Sequence, residues 1–406
     1  MRKNVFKMSA FALMLALAGC SNDEIITTTT QGGEEALLAN EDVIEIGLTN
    51  TSSRTARPMG SSAAANNVNK LVLSVYDETG ATLQTDVTVS LMDNGVAVSK
   101  GTEGTATIDW TATTGENPYN QSHNDSKTLK LTGLKASTTY TIVTYGYNGD
   151  SCPFTVTSKD NVASPATVEE IFAEVTTVTT DEDGHFKKAT VTLERQVAGL
   201  LAYLKNVPAK IYNKEVKKVQ IKANKKTTGF KFTTAEDLNG LTAGVSDNNV
   251  LLTFDVSSYS DTNEDGILDI TGNVYASEYP ESMRPSSLAL VDGTLFGACY
   301  VTPYDQHYGS NTLVIEFLDG SNTVLETLAV KSSTQVESSY YQYDIRRNNF
   351  YSIGKKLYSG NTGGDPNPDP EPENPDPDTP IDLSGKDKIE VIINDAWAVL
   401  HDMTVD

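Results

Sequence analysis

Residues 70–77 of the chain read KLVLSVYD, and this stretch sets the pattern for the rest of the molecule. Leu71, Leu73 and Val75 fall on one side of an extended chain, and the residues between them fall on the other. This period of two predicts a strand, and the residues 77–80 behind it predict a turn. With 18 Tyr, 29 Gly and abundant Thr, the composition favours strands and turns over a helical bundle.

Length and charge narrow the class of protein. The 406 residues include 38% hydrophobic and 21% charged side chains, which is enough for two or three globular domains. The formal net charge of −23 repels phosphate backbones and anionic lipid head groups. We therefore expect no nucleic-acid partner.

Strand patterns continue on both sides of residues 70–77. Upstream, Ile44, Ile46 and Leu48 alternate with smaller or polar residues, as in a half-buried strand. Downstream, strands and hairpin-type turns alternate, which predicts a β-sandwich or meander. These downstream strands, each with its turn, are residues 87–92 with 93–95 and residues 139–147 with 148–150.

One segment has the spacing of a helix. Thr167 can cap it, with Glu170 three residues later to complete the capping box. Its apolar face would consist of Val168, Ile171, Phe172 and Val175. The sequence therefore predicts a single helix from about residue 167.

A second series of strands begins near Lys188. Residues 189–193 and 197–204 are its first two strands, and short apolar segments with polar turns between them continue to residues 350–353. Regular spacing of this kind is typical of a sandwich. We therefore expect a second β-sandwich domain.

The N terminus carries an export signal. Three basic residues within the first seven precede an apolar run, residues 11–18, that is too short to span a bilayer. Residues 17–20 read LAGC and resemble a bacterial lipobox, which implies that Cys20 is acylated. The acidic residues that follow, Asp23 and Glu24, resemble the export signal of Bacteroidetes surface lipoproteins.

The C-terminal part consists of a spacer and a further strand. Residues 361–380 contain seven Pro and six acidic residues, a composition that favours extended polyproline II over packing. Extended at ~3.1 Å per residue, such a spacer spans roughly 60 Å. Beyond it Ile389, Val391 and Ile393 alternate, and Trp397 and Val399 continue the apolar character.

Motifs for catalysis are absent from the sequence. No nucleophile elbow, phosphate-binding loop, dinucleotide turn or Cys-x-x-Cys occurs. None of the four histidines, His123, His185, His307 and His401, has a second His or Cys at ligand spacing. We therefore expect neither enzymatic activity nor a cofactor.

One loop has the spacing of a calcium site. Asp261, Asn263, Asp265 and Asp269 occupy positions 1, 3, 5 and 9, and Gly266 occupies the sharp turn at position 6. Position 12 is a glycine instead of the bidentate Glu, and the flanking segments have strand character. The motif is compatible with a calcium site, and a surface turn rich in Asp and Asn is the interpretation it favours.

A run of lysines also allows two interpretations. It is the only basic stretch in this acidic chain. It is either a solvated strand face or a contact surface for acidic residues of a neighbouring copy, such as those of the spacer. Its members are Lys214, Lys217, Lys218, Lys222, Lys225 and Lys226.

The two ends of the chain suggest a mechanism of assembly. The strand containing Ile44, Ile46 and Leu48 has the same alternation as residues 389–393, so both could occupy one groove. A cut after Arg54 would separate the first strand from the rest and open that groove. The tail of another molecule could then fill it by β-augmentation, and a head-to-tail contact of this kind propagates as a filament.

The order of these features resembles the fimbrillins of the type V pili of Bacteroidales, closest to the Mfa-type or FimA-like major subunits. The segments that carry the resemblance are the lipobox and residues 70–77, 193–198, 348–351 and 389–406. The resemblance implies two transthyretin-like β-sandwich domains, lipoprotein export, cleavage by an arginine-specific protease and exchange of the C-terminal strand. Arg54 is the preferred cleavage residue and Arg57 the alternative, because Pro58 follows Arg57.

This resemblance implies the stalk subunit of a fimbria at the outer membrane, which supports adhesion and biofilm formation. Its expected partners are other copies of the chain, minor anchor and tip subunits and the protease. Alternatives are an anchor or tip subunit, and a glycan-binding lipoprotein that uses Trp110. The implied layout is a signal peptide (1–19), a propeptide (20–54), two sandwich domains (55–187 and 188–360), a spacer (361–385) and a donor strand (386–406).

Overall fold

The computed structural model describes part of the chain, and everything below concerns that part. No helix in it is long and apolar enough to cross a membrane. Its regular secondary structure consists of strands, so the all-β prediction is confirmed. The described residues are 41–48, 68–93, 96–101, 103–109, 127–165, 167–223, 226–232, 242–244, 249–281, 284, 290–303, 312–332, 343–354, 380–384 and 390–394.

The strands are numbered in chain order. The first eleven are β1 (Val43–Leu48), β2 (Lys70–Asp77), β3 (Thr88–Asp93), β4 (Val96–Lys100), β5 (Thr105–Asp109), β6 (Lys127–Thr132), β7 (Thr139–Tyr147), β8 (Thr155–Ser158), β9 (Asn161–Ala163), β10 (Ile171–Thr179) and β11 (Ala189–Arg195). The next seven are β12 (Ala198–Lys205), β13 (Lys210–Ile211), β14 (Lys214–Glu215), β15 (Lys218–Ala223), β16 (Lys226–Phe230), β17 (Thr242–Gly244) and β18 (Val250–Asp255). The last seven are β19 (Asn273–Tyr275), β20 (Thr294–Val301), β21 (Leu313–Leu318), β22 (Val324–Ser332), β23 (Phe350–Ile353), β24 (Ile381–Asp382) and β25 (Glu390–Asn394).

The first sheet has nine strands in the order β4-β3-β6-β1-β11-β10-β7-β2-β5. Its two ends share one core, to which Val89 and Leu129 contribute from one side and Leu71 and Ile142 from the other. The sheet therefore folds over on itself. Strand β11 makes the turn between layers, since it pairs with β1 along most of its length and with β10 through its last residues, up to Arg195.

The second sheet contains the strands in the order β18-β15-β21-β22-β25-β23-β12-β20-β19, and β24 pairs with β12 beside this path. Its core contains an aromatic group, in which Tyr203 and Tyr279 each pack edge to face against Phe296. Strand β12 lies at its centre, where all of its residues but the last are buried. The sequence pattern of residues 197–204 correctly predicted this strand.

A small sheet joins the two halves of the chain. Its order is β17-β16-β9-β8, so strands from before and after β12 pair with one another, with Phe230 opposite Val162. Phe230 lies 5.8 Å from Phe154 and 6.1 Å from Phe232 between ring centroids. These aromatic side chains belong to a third core, between the two large sheets.

The helix predicted from residue 167 is wrong. Residues 171–179 form β10, which pairs along its whole length with β7. Phe172 packs in the first core, while Ile171 and Ala173 pack in the third. A strand buried on both faces carries adjacent apolar residues, and in a short segment these imitate the spacing of a helix.

Residues 189–193, which were expected to be the first strand of the second domain, form part of β11 and pair with β1 in the first sheet. The sequence offers no local reason for this, since the pairing partner of β11 is β1, more than a hundred residues upstream. The division into two transthyretin-like domains stays a prediction.

Candidate strand-exchange sites

The strand nearest the N terminus, β1, lies in the middle of the first sheet. It runs parallel to β11, with Ile44 opposite Ala189, and antiparallel to β6, with Ile44 opposite Leu129. Ile44 and Ile46 are both 0% exposed and belong to the first core. We call the position between β6 and β11 the first slot.

Apolar burial and strand pairing both stabilise β1 in the first slot. Burying two isoleucine side chains contributes about 3–6 kcal/mol of apolar transfer free energy. Loss of β1 would also leave the facing edges of β6 and β11 without partners, and buried backbone groups without partners are costly. The slot is therefore stable only when a strand occupies it.

Asp42 fixes the start of β1. Its backbone N–H donates to the carbonyl of Phe186 at 2.9 Å, and its carboxylate accepts the N–H of Phe186 at 3.0 Å. The same carboxylate lies 2.7 Å from Nδ1 of His185. This hydrogen bond is the main reason why the pKa of His185 is raised above its usual value. The entrance to the first slot therefore carries a contact that depends on protonation.

The strand after the spacer, β25, lies between two strands of its own second sheet. It runs antiparallel to β23, with Val391 opposite Ile353 and Ile393 opposite Tyr351. It runs parallel to β22, and the described residues of β22 that pair with it are Lys331 and Ser332. We call the position between β22 and β23 the second slot. Sequence reasoning predicted the strand but not this location.

The connection that contains most of the spacer, residues 354–380, begins and ends at neighbouring points of β12. Ile353, at the end of β23, pairs with Ala202, and Ile381, at the start of β24, pairs with Leu204. At ~3.3 Å per residue these two positions lie about 7 Å apart along the strand. Leu383 is fully buried beside them in the second core. The two ends of the connection between β23 and β24 therefore lie close together.

A buried ion pair links the neighbours of the two slots. Arg195, the last residue of β11, is 2% exposed, and its Nε donates to Oε1 of Glu170 at 2.6 Å. Its Nη1 donates to Oδ1 of Asn348 at 3.1 Å, two residues before β23. Sequence reasoning missed this pair, because it treated Glu170 as part of a helix cap and Arg195 as part of a short motif.

The calcium-type loop uses its carboxylates to hold its own backbone. Asp261 accepts N–H groups from Asp265 at 3.1 Å and Gly266 at 2.9 Å, and Asp269 accepts the N–H of Thr262 at 2.7 Å. Asn263 donates from Nδ2 to Asp265 at 3.0 Å. Among the described residues, no group of three or more His, Cys, Asp or Glu side chains could hold a metal. The contacts favour a surface turn, and calcium binding stays a prediction.

Lys218 and Lys222 of the lysine run lie on one face of β15, and the described side chains of the run have partners within the chain. Lys218 donates to Asn322 at 2.7 Å, and Lys222 lies 3.2 Å from Glu316. Lys217 lies 2.8 Å from Glu215. These contacts favour the solvated strand face over a surface for the acidic spacer of another copy.

Several predicted residues lie outside the part of the chain that the structure describes. They are Cys20, Arg54, Arg57, Trp110, Ile389, Trp397 and Val399. For Leu48, Val391 and Ile393 only the backbone is described. The roles predicted for all of these residues stay predictions.

Comparisons with known proteins give structural likenesses only. The chain resembles the fimbrial anchor protein Mfa2 of Porphyromonas gingivalis, with a TM-score of 0.32, 11% identity, and coverage of 71% of this chain and 81% of that one. It resembles a candidate cell adhesion protein of Parabacteroides distasonis, with a TM-score of 0.35, 13% identity, and coverage of 87% and 99%. It also resembles a candidate polysaccharide-binding protein of Bacteroides thetaiotaomicron, with a TM-score of 0.33, 11% identity, and coverage of 77% and 90%.

Sequence comparisons add nothing to these likenesses. No protein-family model matches the chain. No curated protein matches it either. All three TM-scores lie below 0.5, so the likenesses establish neither a shared family nor a shared function.

Proposed function

We propose that the chain is the stalk subunit of a type V fimbria at the outer membrane, exported as a lipoprotein through Cys20 and polymerised by donor-strand exchange. The observation that carries the proposal is the position of β1, which is near the N terminus yet lies in the middle of a sheet. A strand in that position can be replaced, but its loss without replacement leaves an apolar slot with two unpaired edges.

Processing would open the first slot. A cut after Arg54, or after Arg57, would break the covalent link between β1 and β2, and β1 would stay with the lipid. Residues 389–393 of a second copy carry the alternating apolar residues that such a slot requires. Because donor and slot lie on different parts of the chain, the contact is heterologous and builds a filament.

The second slot supports the same proposal from the donor side. Strand β25 already lies between one parallel and one antiparallel neighbour, which is also the environment of β1. A segment that forms a strand in the second slot can form one in the first. Partners would be further copies, minor anchor and tip subunits, and an arginine-specific protease, in a fibre that supports adhesion and biofilm formation.

An anchor subunit is the second candidate. The pairing of β25 with β23 of the same chain favours an anchor subunit. A subunit whose C-terminal strand stays in its own sheet does not donate that strand to another copy. An anchor would also keep β1 in place and retain its lipid. N-terminal sequencing separates the two, since a stalk subunit begins at Thr55 and an anchor at Cys20.

Electron microscopy of cells with and without residues 386–406 tests the main proposal. We expect fibres on wild-type cells and none when the residues are deleted, with the truncated protein still exported and rich in strands by circular dichroism. Fibres of normal number and length on the deletion strain would overturn the proposal. Surface material that begins at Cys20 would point to the anchor instead.

A further inference from the structure

Arginine is scarce in this chain, and the arginines among the described residues are held by contacts within the fold. The sequence has 7 Arg against 24 Lys. Four arginines fall among the described residues, namely Arg195, Arg284, Arg346 and Arg347. An endopeptidase specific for arginine must insert this side chain into its own pocket and bind the flanking residues in an extended conformation. The bond after an arginine is protected when the side chain cannot be reached or the flanking backbone cannot become extended.

Two of the side chains are buried. Arg195 is 2% exposed and pairs with Glu170, and Arg347 is 0% exposed. Nη2 of Arg347 donates to the carbonyl of Lys231 at 2.7 Å, and its guanidinium lies 5.8 Å from the centre of the Phe230 ring. Arg195 lies over Phe172 of the first core and Arg347 over Phe230 of the third, so a protease reaches either side chain only after this packing has opened.

Arg284 is held at the surface in another way. Its guanidinium lies 3.8 Å from the centre of the Tyr275 ring, and its Nε and Nη2 both donate to the carbonyl of Tyr279 at 3.3 Å. The next residue is Pro285, which has no backbone N–H to bind in a protease cleft. The bond after Arg284 is therefore protected by side-chain contacts and by sequence.

Arg346 is the most accessible of the four, with a side chain that is 46% exposed. Its backbone cannot move into a protease cleft, because the residues on both sides are buried: Ile345 is 1% exposed and Arg347 is fully buried. Its own N–H donates to the hydroxyl of Tyr351 at 2.8 Å. Placing this segment in a cleft would require both buried neighbours to be extracted first.

We propose that the folded chain resists arginine-specific endopeptidases at Arg195, Arg284, Arg346 and Arg347, so that such an enzyme can process the subunit without destroying it. The resistance is a property of the fold, whereas its use rests on the proposed function. The lysines Lys135 and Lys214 have more exposed side chains, at 63% and 60%, although the N–H of Lys135 also donates to a tyrosine hydroxyl, that of Tyr140, at 2.8 Å.

Limited proteolysis of the full-length protein with clostripain tests the inference. We expect native protein to give no new N terminus at residues 196, 285, 347 or 348, as read by mass spectrometry. Unfolded, alkylated protein should be cut after Arg195, Arg346 and Arg347, and it should remain uncut before Pro285. Proteolysis of a folded chain follows the population of its opened forms, so the native rate at these bonds should be at least about 100-fold below the unfolded rate.

A matched variant shows that the protease can reach this fold. Thr362→Arg places an arginine before Gly363 at the start of the proline-rich spacer, whose composition favours an extended chain over packing. We expect rapid cutting after residue 362 in native protein. Cutting at any of the four natural arginines as fast as at residue 362 would overturn the inference, and so would resistance of the Thr362→Arg variant, since burial would then not be what protects the other four.

The outcome is independent of the filament experiment. Loss of arginine resistance would leave strand exchange untouched. Fibres that persist without residues 386–406 would overturn the proposed function and leave the resistance as a property of the fold.

Discussion

Strands β1 and β25 occupy equivalent places in two different sheets. Each lies between one parallel and one antiparallel neighbour, and each is separated from the nearest strand in sequence by a segment rich in small, polar or proline residues. They differ in how firmly they are held. Within the described part of the chain, strand β1 pairs over five residues with β11, whereas β25 pairs with β22 at Lys331 and Ser332 alone.

The difference indicates which strand can leave unaided. Extracting β1 unpairs a longer ladder, exposes two fully buried isoleucines and breaks the contacts of Asp42. Extracting β25 breaks four pairs with β23 and two with β22. We therefore expect β25 to exchange spontaneously and β1 to leave only after its covalent link to β2 is cut. This order is the one that a polymerising subunit requires.

A charge in the first slot should have the largest effect. Ile46→Asp buries a carboxylate among the apolar side chains of the first core, and we expect a loss of more than about 4 kcal/mol in the free energy of unfolding. Urea unfolding followed by circular dichroism measures it. Glu45→Gln, on the opposite face of the same strand, should change stability by less than about 1 kcal/mol. Equal losses of stability from the two substitutions would contradict the burial of Ile46 in the first core.

Loss of the ion pair between Glu170 and Arg195 should have the second-largest effect on stability. Glu170→Ala leaves the guanidinium of Arg195 buried without its carboxylate, and we expect a loss of about 3–5 kcal/mol. The double variant Glu170→Leu with Arg195→Met should recover part of that loss, because it also removes the isolated charge. Urea midpoints of the three proteins provide the comparison. A double variant less stable than Glu170→Ala would contradict the assigned pairing.

Val391→Asp should affect assembly more than folding. If residue 391 enters the first slot of the next subunit, its charge has no partner there, and fibres should be absent. Because β25 forms fewer strand pairs in its own sheet than β1 does, Val391→Asp should lower the stability of the isolated subunit less than Ile46→Asp does. Ladders on gels run without boiling report assembly, and Glu390→Gln serves as the control. Ladders of wild-type length from Val391→Asp would refute strand donation.

The smallest effect should come from pH. The pKa of His185 is raised mainly by its hydrogen bond to Asp42, with Glu41 and Asp181 adding negative charge nearby. The resulting stabilisation is complete below the ordinary histidine value of about 6.5 and is lost as pH rises through the raised value. Exchange of the amides of β1, corrected for intrinsic rates, should therefore accelerate with rising pH. His185→Gln should abolish this step, and an unchanged step would assign it to another group.

Local patterns predicted what depends on local structure. The alternation of Ile44 with Ile46, and of Leu71 with Leu73 and Val75, identified strands whose apolar faces are buried as expected. It failed in β10, whose apolar residues also fit the spacing of a helix. In β10, Ile171, Phe172 and Ala173 are consecutive and all buried, because this strand lies between two cores, and a single sequence does not show how many cores a strand contacts.

Long-range pairing was the other source of failure. Nothing near Arg195 indicates that Glu170 and Asn348 will meet it, and nothing in residues 390–394 indicates that β23 of the same chain will receive them. Both arrangements depend on contacts across more than a single element. The candidate strands could be found from their composition, whereas their partners required the fold.

The meeting of β23 and β24 on β12 has a consequence for the 27 residues between them. Closing a loop costs only about 0.6 kcal/mol more for each doubling of its length, so this long connection costs the fold little. Because β24 pairs with β12 and Leu383 is fully buried beside it, the connection adds no reach to a tail that leaves β25 while β24 stays in place. Its full contour would lengthen the tail only if β24 left β12 as well.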